Sequence, residues 1–151
     1  MAGKWFDELE VGQVFQHDIR RTLTETDNLL FTTMTHNPAQ LHLDAEYCKN
    51  ETEFDGVLMN SLFTLGLVVG ISVGDTTLGT AVANLSIDNT TFPKPLFPGD
   101  TIRVETEIIA LRESKSRPTQ GIVTFEHRAF NQHDDLVCKT QRKGLQHKSP
   151  N

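Results

Sequence analysis

His42 is the side chain in this sequence best suited to moving a proton. It stands in Thr35-His36-Asn37-Pro38-Ala39-Gln40-Leu41-His42-Leu43-Asp44, with Asn37 five residues before it and Asp44 two residues after it. An imidazole with an ordinary pKa of about 6.5 can take and return a proton at neutral pH, which adding water to a double bond and removing it both require. The spacing leaves open whether His42 works this way or simply bonds backbone in a loop. His36 and His42 also raise the question of a metal. The HxxxH spacing and a cysteine pair are missing, and Pro38 keeps the two rings off one helix face, so no metal site is expected. Ser61 has no GxSxG surroundings and does not read as a nucleophile. Its position matters more, because the first amides of a helix, around Asn60 and Ser61, lack internal partners and can hold developing negative charge. A last cluster, Arg112-Glu113-Ser114-Lys115-Ser116-Arg117-Pro118, interleaves cations with hydroxyls. It reads either as a solvated hairpin loop or as a grip on phosphate or carboxylate oxygens. Arg142 and Lys143 read as a solvated strand end.

Several elements must position these groups. Thr24 and Asp27, three residues apart, resemble a capping box that starts a helix through Leu29, Leu30, Phe31 and Met34. Pro38 and the polar residues before it end that helix and leave residues 37–44 in a loop. Residues 57–73 are apolar almost all round and predict a buried helix. Gly66, Gly70 and Gly74 recur every four residues there, so one bare face is expected to lie close to a sheet. Those 17 residues include several polar groups and fall short of the roughly 20 apolar residues that a bilayer span needs. The pattern then changes to period two. Ala81, Ala83, Leu85 and Ile87 share one side of a strand, and Ile102, Val104 and Ile108 lie opposite Arg103, Glu105 and Glu107 on the next. Three prolines in residues 92–100 make that segment a turn or an edge. A strand over 122–130, a turn over 131–135 and a returning strand over 136–145 complete the chain. The order predicts an α+β fold in which a curved antiparallel sheet wraps one long apolar helix. Such a sheet has open edges, and pairing them between two copies makes a homodimer the expectation.

A length of 151 residues suits a single domain over 1–151. The net charge of −6 argues against nucleic acid as a partner, while a local cationic cluster could still hold a phosphorylated ligand. Cys48 and Cys138 lie far apart, and the first eight residues contain no apolar signal region. A cytoplasmic protein with two free thiols is expected.

These pieces together resemble the MaoC-like hydratases and dehydratases of acyl-CoA. Phe6-Asp7-Glu8-Leu9-Glu10-Val11-Gly12-Gln13-Val14-Phe15 is similar to the family's opening, residues 35–44 fall at its hydratase motif, and Pro98-Gly99-Asp100 is similar to a common hot-dog turn. The likeness is closer to the mesaconyl-CoA hydratase (β-methylmalyl-CoA dehydratase) branch. Residues 41–47, Asn60, residues 64–70, residues 81–85 and Glu113-Ser114-Lys115-Ser116-Arg117-Pro118 carry it. The resemblance implies a hot-dog fold and hydration of an α,β-unsaturated acyl-CoA, with coenzyme A arriving as part of the substrate and no other cofactor. In the branch the substrate is a branched C4-dicarboxylic thioester. By the same likeness His42 carries the proton, Asn37 orients the water, the amides around Asn60 and Ser61 hold the thioester oxygen, and Lys115, Ser116 and Arg117 take coenzyme A phosphates or a substrate carboxylate. The sequence departs from the wider family in three places. The usual catalytic Asp falls at Asn37, the usual Asn-Pro pair at Ala39-Gln40, and a helix-start Gly at Ser61. An amide cannot accept water's proton, so acid-base work would rest on His42 unless Asp44 or the substrate's own carboxylate assists. Two other readings stand beside this one. A hot-dog thioesterase would need a carboxylate in the buried helix, where residues 57–73 have none, and a non-catalytic acyl-CoA-binding protein is compatible with Asn37.

Overall fold

The computed structural model describes residues 3–150. Five strands, β1 (Val14–Thr22), β2 (Ala81–Thr91), β3 (Thr101–Glu113), β4 (Gln120–Phe130) and β5 (Leu136–His147), form one antiparallel sheet in the order β1-β3-β4-β5-β2. Three helices accompany them: α1 (Glu25–Met34), α2 (Ala45–Glu51) and α3 (Ser61–Thr76). Alternation along the central strands buries Ile102, Val104 and Ile108 of β3 with Val123, Phe125 and Ala129 of β4, and Val68 and Ile71 of α3 pack against this face. The expected curved sheet around an apolar helix is therefore present. On the outer face Arg128 bridges Glu105, Glu107 and Glu126 at 2.7, 2.9 and 2.8 Å. Gly121 is required where β4 passes under the N-terminal segment, because a Cβ there would stand 2.3 Å from the Phe6 ring.

The expected capping box at α1 forms in both directions: the Thr24 amide donates to Asp27 at 2.9 Å, and the Asp27 amide to Thr24 Oγ1 at 3.1 Å. The inward face of α1 is polar, however. Asn28 and Thr32 are its buried residues, while Leu29, Leu30 and Met34 are more than half exposed. Residues 37–44 include a short turn, Gln40–His42, and lead into α2, a helix the sequence reading did not anticipate. Asp44 caps it by accepting from the Tyr47 amide at 2.9 Å.

The apolar helix starts at Ser61, four residues later than expected, because residues 57–60 run extended and the Met59 amide donates to Leu96 O at 2.8 Å. Asn60 caps it through its side chain, which accepts from the Leu62 amide. The helix is buried on one side only. Gly66, Gly70 and Gly74 lie on its exposed side, and a Cβ added at any of them would meet nothing within 4 Å. The bare face thus points away from the sheet, contrary to the expectation. Strand β2 is likewise open, with Val82, Leu85 and Ile87 exposed along an edge of the sheet.

A buried polar row crosses the inner face of the sheet. Its start, Arg142, overturns the reading of a solvated strand end, since only 5% of it is exposed. Period two places Arg142 in phase with Thr140 and Cys138, both fully buried, while Lys143 points out. A guanidinium can only donate, so Arg142 Nε gives a hydrogen bond to His127 Nε2 at 3.2 Å. His127 must then carry its proton on Nδ1 and donate it to Thr106 Oγ1 at 2.8 Å. That hydroxyl in turn donates to His17 Nε2 at 2.8 Å, and His17 Nδ1 donates to Asp75 Oδ2 at 2.6 Å. Burial, reinforced by the charge of Arg142, pushes the His127 pKa down to about 3. Burial also lowers that of Arg142 to about 10.

Candidate active site

His42 is held from both sides of its own segment. Its Nδ1 lies 2.6 Å from Leu58 O, and a carbonyl can only accept, so Nδ1 bears the proton and Nε2 keeps its lone pair. Of the two readings left open by the sequence, the contact realises the backbone bond, at one ring nitrogen. Asn28 locks the arrangement. Its Nδ2 donates to His42 O and Leu58 O at 3.2 and 3.1 Å, and its Oδ1 accepts from the Asn60 amide at 2.9 Å. Asn60 Nδ2 continues the network to Thr32 Oγ1 at 3.2 Å. One buried side chain on α1 therefore ties the histidine loop, the extended 57–60 segment and the start of α3 together.

This network revises the part assigned to Asn60. Its backbone amide is occupied by Asn28, so it is not free to hold a thioester oxygen. Among the described residues, the amides at the start of α3 without a hydrogen-bond partner are those of Ser61 and Phe63. His42 faces a hollow of about 330 Å³ shared with Asn28, Leu29 and Val57, while Ser61 faces one of about 390 Å³ shared with Leu58, Met59 and Thr64. The two hollows flank the same 57–60 segment.

Asn37 is half-buried, and its Oδ1 accepts from the Ala39 amide at 3.0 Å. Its Nδ2 has no hydrogen-bond partner among the described residues. Asp44 caps α2 through Oδ1. Lys115, Ser116 and Arg117 are exposed in the β3–β4 hairpin. Strand β3 separates that hairpin from the His42 end of the sheet by 13 residues, about 40 Å of extended chain. One copy of the chain does not bring the two together. Asn28 was not picked out from the sequence, because a lone polar residue beside two leucines matches no motif. Its one-turn spacing from Thr32 is the signal that could have found it.

A curved antiparallel sheet around α3, with a histidine loop clamped at the helix start, defines a hot-dog protein of the MaoC-like class. Residues 7–129 match the family described as MaoC like domain, and the chain belongs to that family. It is 30% identical over 141 residues, 93% of its length, to the mesaconyl-CoA hydratase of Cereibacter sphaeroides, of which it covers 40%. It is 30% identical over 137 residues, 91% of its length, to the β-methylmalyl-CoA dehydratase of Chloroflexus aurantiacus, of which it covers 38%. The chain spans about two fifths of the length of the curated relatives it matches. A Mycobacterium tuberculosis protein described as having a double hot-dog fold superposes with a TM-score of 0.89 at 26% identity, over 99% of this chain and 46% of that one. No helix among the described residues is long and apolar enough to cross a membrane.

Proposed function

We propose that the chain hydrates an α,β-unsaturated acyl-CoA, and dehydrates the β-hydroxyacyl-CoA, with His42 as the proton carrier. The observation that carries the reading is the 2.6 Å contact between His42 Nδ1 and Leu58 O, which leaves Nε2 as a base. Nε2 removes a proton from a water held by Asn37 Nδ2, and the hydroxide oxygen bonds to the β-carbon. The π electrons move to the thioester oxygen, where the free amides of Ser61 and Phe63 hold the enolate charge. His42 then returns its proton to the α-carbon, so water is added and nothing is oxidised. A branched C4-dicarboxylic thioester such as mesaconyl-CoA is the favoured substrate, on the strength of the two relatives named above. Two buried free cysteines, Cys48 and Cys138, suit a reducing compartment such as the cytoplasm.

The open β2 edge and the bare side of α3 support a homodimer joined along β2. The double hot-dog relative carries a second unit within one chain, and a second copy would supply it here. Antiparallel pairing of two β2 edges reverses one sheet relative to the other. Each Lys115-Ser116-Arg117 hairpin then lies at the end of the assembly that carries the other copy's His42, within reach of the coenzyme A phosphates. The deciding experiment compares wild type with His42→Ala and His42→Gln on mesaconyl-CoA and crotonyl-CoA, with mass detection of the products. A loss of about 10²-fold or more in kcat with the fold intact is expected. Near-normal turnover would remove His42 from this role, and binding of both thioesters without turnover by the wild type would make the chain an acyl-CoA-binding protein.

A further inference from the structure

Trp5 is the single tryptophan of the chain, and the backbone fixes where it stands. The Lys4 amide donates to Thr76 O at 3.0 Å, the Trp5 amide donates to Glu8 at 2.8 Å, and Phe6 is buried over Gly121. The chain is extended at Trp5, so its side chain leaves on the side opposite Phe6. There it lines a groove of about 660 Å³, the size of a small-ligand site. Strand β5 supplies a second wall: Gln146 points into the core, and period two turns His147 outward into the groove. Neither ring enters an aromatic or cation-π pair among the described residues. Pro118, Thr119 and Lys148 also line the groove, and the Lys148 amide donates to Thr119 O at 2.9 Å. Of the residues around it only Gly79 also borders the hollow along β2, and none borders those beside His42 and Ser61. Pro118 and Thr119 carry the groove directly into the β3–β4 hairpin. There Lys115 and Arg117 are exposed and enter no ion pair among the described residues.

We infer that this groove seats the base of an adenine nucleotide against Trp5, with Lys115 and Arg117 on its phosphates, and that the nucleotide is the head of coenzyme A. A planar base stacks on an indole face, and guanidinium and ammonium groups match phosphate oxygens. A simple anion would have no use for Trp5, and a neutral sugar none for the two cations. The hairpin keeps its cations beside the groove through its own turn, in which the Ser114 amide donates to Gln120 O at 3.2 Å and the Gln120 amide to Arg117 O at 3.0 Å. Stacking accepts any base. Adenine is named because the hydratase reading brings coenzyme A to this chain, and the inference rests on that reading in this respect alone.

The test uses the whole chain and the emission of Trp5, which no second tryptophan obscures. Adenosine 3′,5′-bisphosphate, adenosine and inorganic diphosphate are titrated, with calorimetry in parallel. Saturable quenching by the bisphosphate is expected, reversed when coenzyme A displaces it. Adenosine should bind about ten-fold more weakly for want of a charge-assisted hydrogen bond, and diphosphate should leave the emission unchanged. Trp5→Leu should weaken bisphosphate binding about ten-fold in calorimetry. Should that variant fold poorly, Arg117→Gln changes only an exposed side chain and should weaken binding about five-fold or more. His42→Ala should bind the bisphosphate as wild type does. A chain that binds the bisphosphate but hydrates no enoyl-CoA would overturn the reading of the activity and support the groove, whereas turnover with Trp5 silent to the bisphosphate would overturn the groove alone. Equal affinity in Trp5→Leu, quenching by diphosphate, or failure of coenzyme A to displace the bisphosphate would likewise overturn the assignment.

Discussion

Replacing His127 with Asn should flatten the acid side of the stability profile. In the folded chain His127 is fully buried between Thr106 and Arg142, and its pKa is lowered from 6.5 to about 3, chiefly by burial. Above pH 6.5 neither the folded nor the unfolded chain protonates it, so it contributes no pH dependence there. As the pH falls below 6.5 the unfolded chain takes up a proton that the folded chain refuses, and stability drops until the folded pKa is reached. Each pH unit in that window costs about 1.4 kcal/mol, which amounts to about 3 kcal/mol by pH 4.5 and about 4 kcal/mol by pH 3. Carboxylates held low by ion pairs, such as Asp27 beside Arg21, act mainly below about pH 4, so the range from pH 6.5 to 4.5 isolates the histidine. Asn can still donate to Thr106 but does not titrate. His127→Asn should start about 1 to 3 kcal/mol lower at pH 7, because Arg142 loses an acceptor, and then lose much less stability than wild type down to pH 4.5. Urea unfolding at half-unit steps of pH measures both slopes. Equal losses in the two proteins would refute the assignment of a neutral, acid-resistant His127.

Two further substitutions probe the site and the packing. Asn28→Ala removes three hydrogen bonds that join the histidine loop to α3, and at about 1 kcal/mol each should cost about 3 kcal/mol in urea unfolding. The same variant should lower kcat for hydration more than it raises KM, because His42 loses its fixed orientation. Gly121→Ala should lower stability by about 1 to 3 kcal/mol in thermal unfolding by pressing on the Phe6 ring, and adding Phe6→Leu should restore part of it.

Patterns with a single physical cause were the legible ones. The Thr24 and Asp27 box specified the start of α1, and the alternation of Ile102, Val104 and Ile108 against Arg103, Glu105 and Glu107 specified the facing of β3. The side chains of α1 misled because a helix covering a polar network buries Asn28 and Thr32, and hydrophobicity alone then points to the wrong face. Asp44 was weighed as chemistry, and with it the start of α2 was overlooked. Arg142 was judged by its charge when its phase in β5 was the better guide. His42 could be picked out by type, but the group that holds it could not, since Leu58 O is backbone and leaves no mark in the residue types. Lys115, Ser116 and Arg117 stand at the far end of the sheet because pairing along β3 and β4, which no local motif encodes, carries them there.

The outward side of α3 gives the helix a particular kind of fragility. Each of Gly66, Gly70 and Gly74 lowers intrinsic helix stability by about 0.8 to 1.0 kcal/mol relative to alanine, and an alanine methyl at any of them would touch nothing in the chain. About 2 to 3 kcal/mol of helix propensity is therefore absent from the element around which the whole sheet curves. Filling that side would be the simplest route to a more heat-resistant single chain. Under the pairing proposed above it would also thicken the one surface slim enough for two helices to lie close, so the most stable monomer and the best-assembled protein are different sequences.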